Sequence, residues 1–168
     1  LESDGMLNYL NWWKGLSDDG YYTYTGLQRD WDGTSNAYLA GEVAMLVYSS
    51  SDTTFFDESA TFTNQASFMP RNEAVPYVGN LIGGATIWML DGMDTATEDG
   101  ALAFMNFFSN PDNAADWHQL TGYVPITEDA VALLETEGWY TESPNSKVAS
   151  DQLAAAQNTP ASLGALLG

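Results

Sequence analysis

Acid dominates this chain: 23 Asp and Glu stand against four Lys and Arg, a formal net charge of -19 over 168 residues. A chain that acidic usually stays unfolded unless it has apolar surface to bury, because like charges repel and solvated acids pack poorly. Here 45% of the residues are hydrophobic, with six Trp, nine Tyr and seven Phe. The charge must therefore sit on the outside of a folded domain. Such a surface excludes nucleic acid and anionic membrane faces, which are bound through clustered Lys and Arg. It also repels itself, and salt screens that repulsion, since the Debye length falls from about 10 Å at 0.1 M to about 3 Å at 1 M. We expect a halophilic source and an unfolding midpoint that rises with salt.

The absence of cysteine excludes disulfides and thiolate chemistry. No apolar run reaches the ~20 residues of a membrane span. The opening "LESDG" and closing "ASLGALLG" read as the ends of a piece of a longer protein.

Helix punctuation is abundant. Ser3 and Asp4 can cap a helix with Met6, Leu7, Leu10 and Trp13 on one stripe, closing near Gly15 or Gly20. After a loop through "YYTYTGLQRDWDGT", Ser35 is expected to open a short helix ending at Gly41. "EVAMLVYS" has the density of a buried strand, with Ser50 or Ser51 capping the helix that follows. "SFMP" and "NLIGGATIWML" are further strand candidates. Thr95 with Glu98 has capping-box spacing, Asn110 with Pro111 starts the next helix, and Gly122 is its left-handed terminator. Thr127 caps "EDAVALLETE", Gly138 closes it, and "SKVASDQLAAAQ" is a last helix. Strands alternating with helices and no internal repeat indicate an α/β class.

The chemistry-bearing residues do not form a catalytic signature. His118 is the only histidine, no G-x-S-x-G elbow accompanies it, and its place in the last turn of a helix suits a partly positive ring. Asp30, Asp32 and Gly33 resemble the start of a calcium loop, but the twelfth position is Gly41 rather than Glu. "IGGATIW" lacks the Lys-Ser/Thr of a phosphate loop and the third glycine of a dinucleotide fingerprint. A glycan-active hydrolase using carboxylates among Asp32, Glu42 and Asp52 is the enzyme alternative, and a protein-interaction domain a third. What remains is binding chemistry: hydroxyls and helix N-terminal amides at Ser49, Ser50 and Ser51, a ready seat for an anion or a sugar oxygen, with aromatic faces for a cleft.

In order along the chain, "YLAGEVAMLVYSSS", "NLIGGATIWML", "NPDNAADWHQLTGYVPIT" and "ALLETEGWYTESPNS" resemble the extracellular solute-binding proteins of ABC importers, in their glycerol-3-phosphate-binding branch. The resemblance implies a type II periplasmic-binding-protein-like fold of two α/β lobes closing on a ligand. Within it, 1–78 would be a second-lobe segment, 79–122 a first-lobe segment after a hinge crossing, and 123–168 the return to the second lobe. It further implies capture of glycerol-3-phosphate, a glycerophosphodiester or a sugar for delivery to permease subunits. The protein would be a monomer without catalysis, cofactor or metal, at the cell surface or in the periplasm, and lipid-anchored (a lipoprotein) at full length. Carried over residue by residue, the ligand contacts fall on Ser49, Gly84 and Tyr123. Ser49 would donate a hydroxyl, Gly84 would open its backbone N–H, and Tyr123 would present a phenol. Where that branch has glycine and serine after its serine pair, this chain has Ser51 and Asp52. A carboxylate there opposes a bound phosphate, which keeps the diester and sugar open beside glycerol-3-phosphate.

Overall fold

A computed structural model describes residues 3–80 and 82–157. The chain divides into two compact units, Leu1–Leu46 and Val47–Gly168.

The first unit carries α1 (Asp4–Asp18) and α2 (Trp31–Leu39). Ser3 caps α1 as its spacing predicts, its hydroxyl accepting the Met6 N–H at 3.3 Å. The helix runs through Gly15 and stops at Asp18, ahead of Gly20 at φ 76°. Tyr9, Trp12, Trp13 and Tyr22 meet one another with ring centroids 5.5–5.8 Å apart. α2 begins four residues before the expected Ser35. Asp30 wins as cap because its carboxylate takes the Gly33 N–H at 3.0 Å, while Ser35 is buried in mid-helix and donates to the Trp31 carbonyl at 2.6 Å. Capping also consumes the carboxylate that resembled a calcium ligand.

In the second unit a single 3-10 turn, Ser50–Asp52, leads into α3 (Thr53–Ser59). Ser49 caps that turn, and Asp52, making no side-chain cap bond, stands at the start of α3 where Ser50 or Ser51 was expected. α4 (Thr95–Ser109) is capped by Asp94, whose carboxylate accepts the Thr97 N–H at 3.0 Å and the Thr97 hydroxyl at 2.8 Å. The expected cap, Thr95, is thereby the first helical residue. α5 (Pro111–Thr121) is capped by Asn110, has Pro111 in its first turn and ends at left-handed Gly122. α6 (Glu128–Glu137) starts at Thr127 and ends at Gly138, also left-handed. These limits agree with the sequence reading. A short α7 (Trp139–Glu142) was not expected, and α8 (Pro144–Ala154) starts at Pro144 rather than at Ser146.

The core lies where α5, α6, α7 and α8 pack in succession, with α3 against α5 and α8. Ala115, Leu134 and Tyr140 form its centre, with Val131, Leu133 and Trp139 at its edge. At its edge Lys147 bridges Glu135 at 3.2 Å and Asp151 at 2.7 Å.

The strand expectations are corrected. Among the described residues no strand forms: "EVAMLVYS", "SFMP" and the described part of "NLIGGATIWML" run without a ladder. A strand is defined by its neighbour, and apolar density alone cannot supply one. Helix side chains hold the extended stretch before residue 80 instead. Asn145 accepts the Ala66 N–H at 2.8 Å and donates to Asp57 and the Asn64 carbonyl, while Gln152 accepts the Met69 N–H at 2.7 Å. Further on, the Gln157 N–H reaches the Val78 carbonyl at 2.8 Å. A side-chain carbon at Gly79 would fall 2.2 Å from the Ala156 backbone, so only glycine fits there.

Candidate functional site

The residue pair that organises the site is Gly122 and Tyr123, at the end of α5. The Gly122 N–H closes the helix on the His118 carbonyl at 2.8 Å, and its φ of 76° turns the chain away. A β-carbon on Gly122 would lie 2.9 Å from the Ser50 carbonyl oxygen and 3.2 Å from that of Ser51. Left-handed geometry and this close approach both demand glycine, and together they press the serine turn against the start of the "GYVP" stretch.

Tyr123 is fixed through its backbone. Its N–H meets the Thr121 hydroxyl at 3.3 Å, and its carbonyl accepts the His118 Nδ1–H at 2.6 Å. Because a carbonyl only accepts, Nδ1 carries the proton of the neutral ring. The histidine is 1% exposed and lies edge-on to Tyr140, with centroids 5.7 Å apart. Burial pushes the His118 pKa below its usual 6.5, against the weaker pull of the Tyr123 carbonyl. This corrects the expectation of a partly positive ring at a helix end: a dry pocket disfavours the charge more than the helix terminus rewards it. Its Nε2 is buried without a partner, as is the Trp139 Nε1. Burial also pushes the Tyr140 phenol up, with the nearby Ser150 hydroxyl pulling the other way although the two groups do not reach hydrogen-bond geometry.

The Tyr123 ring itself is exposed, and so are Ser49 and Gly84. Gly84 has φ 129°, open to glycine alone, and the position of its missing β-carbon is 4.0 Å from Tyr123 Cε1. All three expected contact residues thus belong to one unit. Gly84 adjoins the Tyr123 ring, and Ser49 begins the turn that Gly122 touches.

The turn itself differs from the expected anion seat. Three of its amides are already committed: the Ser51 N–H to Ser49 Oγ at 3.3 Å, the Asp52 N–H to the Ser49 carbonyl at 3.2 Å, and the Thr53 N–H to the Ser50 carbonyl. The Ser49 and Ser51 hydroxyls lie 2.9 Å apart, and Ser51 Oγ donates to Asp52 Oδ2 at 3.0 Å. Thr53 adds a hydroxyl bond to the Ser50 carbonyl at 2.8 Å. What the turn shows to solvent is hydroxyl oxygen beside a carboxylate.

Among the described residues no three His, Asp or Glu side chains cluster as a metal site. Of the acids weighed for hydrolysis, Asp32 lies in the first turn of α2 and Asp52 is occupied by Ser51. Sequence reasoning missed the Gly122 approach, the His118 clamp and the side chains of Asn145 and Gln152. The "TGYVP" string carries the signal for the first, a glycine directly after a helix, but not what it touches.

Residues 2–148 match the family of bacterial extracellular solute-binding proteins. The chain is 33% identical over 166 residues to the sn-glycerol-3-phosphate-binding periplasmic protein UgpB of Pectobacterium atrosepticum, covering 97% of this chain and 36% of that protein. Against the protein of the same name from Escherichia coli strain K12 it is 33% identical over 155 residues, and from Salmonella typhimurium 31%, each match covering 91% of this chain and 35% of the relative. The chain spans about a third of the length of these relatives, and it belongs to the bacterial extracellular solute-binding protein family.

Proposed function

We propose that this chain is part of the substrate-binding component of an ABC importer, which captures a small polar solute and hands it to the membrane permease subunits. The observation that carries the reading is the convergence, within one unit, of Ser49, Gly84 and Tyr123 around the Gly122 close approach. Family membership and relatives named for sn-glycerol-3-phosphate support a glycerol phosphate, a glycerophosphodiester or a sugar as the solute.

In this reading 1–78 and 123–168 belong to one lobe and 79–122 to the other, with the chain crossing near Gly79 and Tyr123. The ligand closes the cleft by binding the closed form more tightly than the open one. The Tyr123 phenol faces the ligand from a backbone held by His118, and Gly84 lets a ligand oxygen approach main-chain N–H. The full-length protein works outside the cytoplasm, lipid-anchored and monomeric, without turning its solute over.

Titration calorimetry on the full-length protein with glycerol-3-phosphate, glycerophosphocholine and maltose tests this. Binding of one of them is expected, with Tyr123→Phe weakening it by about 1 kcal/mol. No heat with any of the three, or an unchanged Tyr123→Phe affinity, overturns the ligand site as drawn.

A further inference from the structure

We infer that Asp52 sets the polarity of the serine turn, making Ser49 a hydrogen-bond acceptor that selects a ligand hydroxyl rather than a phosphate oxygen. The inference rests on the proposed role of Ser49 as a ligand contact and specifies what that contact recognises.

The argument is a proton count. A hydroxyl has one proton to give and two lone pairs to receive with, whereas an ionised carboxylate only receives. Ser51 Oγ lies 3.0 Å from Asp52 Oδ2, so the Ser51 proton points at the carboxylate. Ser51 Oγ also lies 2.9 Å from Ser49 Oγ, and with its own proton spent it can only accept there. The Ser49 proton is therefore directed at Ser51. Ser49 Oγ further accepts the Ser51 N–H at 3.3 Å, which uses one of its lone pairs. One lone pair is left on an exposed side chain. The relay thus converts the donor expected of Ser49 into an acceptor, and its charged end strengthens each bond along it.

The oxygens of a fully ionised phosphate bring only lone pairs, and the Ser51, Asp52 and Thr53 amides of this turn are bonded within it. A polyol hydroxyl brings the proton the turn lacks. Glycerol or sugar hydroxyls therefore point here, and any phosphate points elsewhere. Asp52 is a positioning residue that acts through Ser51.

The test uses the full-length protein, with glycerol-3-phosphate as probe or, should that not bind, maltose. Asp52→Ala, which removes the relay's end, is expected to weaken binding about fivefold. Asp52→Asn retains an accepting oxygen and should stay within about twofold of the native protein. If the carboxylate acted only by repelling phosphate, both variants would tighten glycerol-3-phosphate binding, and that result overturns the relay. Probes lacking one hydroxyl each provide the second readout: against one of them the Asp52→Ala effect should vanish, as in a double-mutant cycle. An effect that persists against every deoxy probe overturns the inference. Ser49→Ala separates the two levels: if it leaves affinity unchanged, the proposed contact itself is wrong, whereas weakened Ser49→Ala with unaffected Asp52→Ala removes the relay alone. Absence of binding by glycerol-3-phosphate, glycerophosphocholine and maltose alike refutes the proposed function and the relay's role with it. Unfolding midpoints within a few degrees of the native protein identify the variants that remain folded.

Discussion

α4 and α5 are consecutive helices of the same unit, both opened by a side-chain cap, yet they differ completely in what they bury. α4 carries the richer apolar stripe, and Leu102, Phe104 and Phe107 on it stand largely exposed. α5 is poorer in large apolar residues and buries Ala114, Ala115 and His118. The difference is one of partners. α5 lies against α3, α4 and α6, whereas α4 packs mainly on α5, where Phe108 meets Trp117 with ring centroids 5.9 Å apart and the Asn113 side chain donates to the Phe107 carbonyl at 2.8 Å. Local chemistry makes a helix, but only a neighbour makes its stripe a core.

The largest expected break in that comparison comes from truncating one apolar side chain in each place. Leu134→Ala empties a wholly buried position on α6 and should cost about 2–5 kcal/mol, while Phe107→Ala on α4 should cost under about 0.5 kcal/mol in this chain, read by denaturant titration. Comparable losses would mean that α4 is packed after all. A smaller effect should be shared by both helices. Asp94→Ala and Asn110→Ala each remove an N-terminal cap and should each cost about 1 kcal/mol, because capping does not depend on what the stripe faces. The smallest effect belongs to His118. Its folded pKa is depressed, so at pH values below 6.5 the unfolded chain gains a proton that the folded chain refuses. Its contribution is complete above pH 6.5 and declines as pH falls from there toward its lowered folded value. Midpoints of the native protein should decline more steeply over that window than those of His118→Gln, and superimposable profiles would contradict a buried neutral ring.

The same contrast explains how far the sequence could be read. Asn110, Pro111 and Gly122, like Thr127 and Gly138, act within one turn of their own helix, so spacing along the chain is enough to recognise them. Where two capping residues compete, as Asp30 with Ser35 or Asp94 with Thr95, spacing narrows the start without choosing it. "EVAMLVYS" misled for the opposite reason, since a strand needs a partner that no local pattern contains. The serine turn at Ser49 could be picked out by its residue types, but Gly84 and Tyr123 were legible only through resemblance to a family, since nothing in their spacing announces a site. The polarity of Ser49 was hidden further still, because it depends on where two neighbouring protons point. His118 could be placed near a helix end, but its burial against Tyr140 comes from α7, a helix the sequence did not suggest.

The contact between Gly122 and the serine turn has a consequence for engineering. Two loops far apart in the chain touch backbone to backbone there, with no side chain between them to absorb a change. Neither loop can be lengthened, transplanted or redesigned alone: a graft meant to change what this protein binds must carry both as one cassette, and must keep a glycine where they touch.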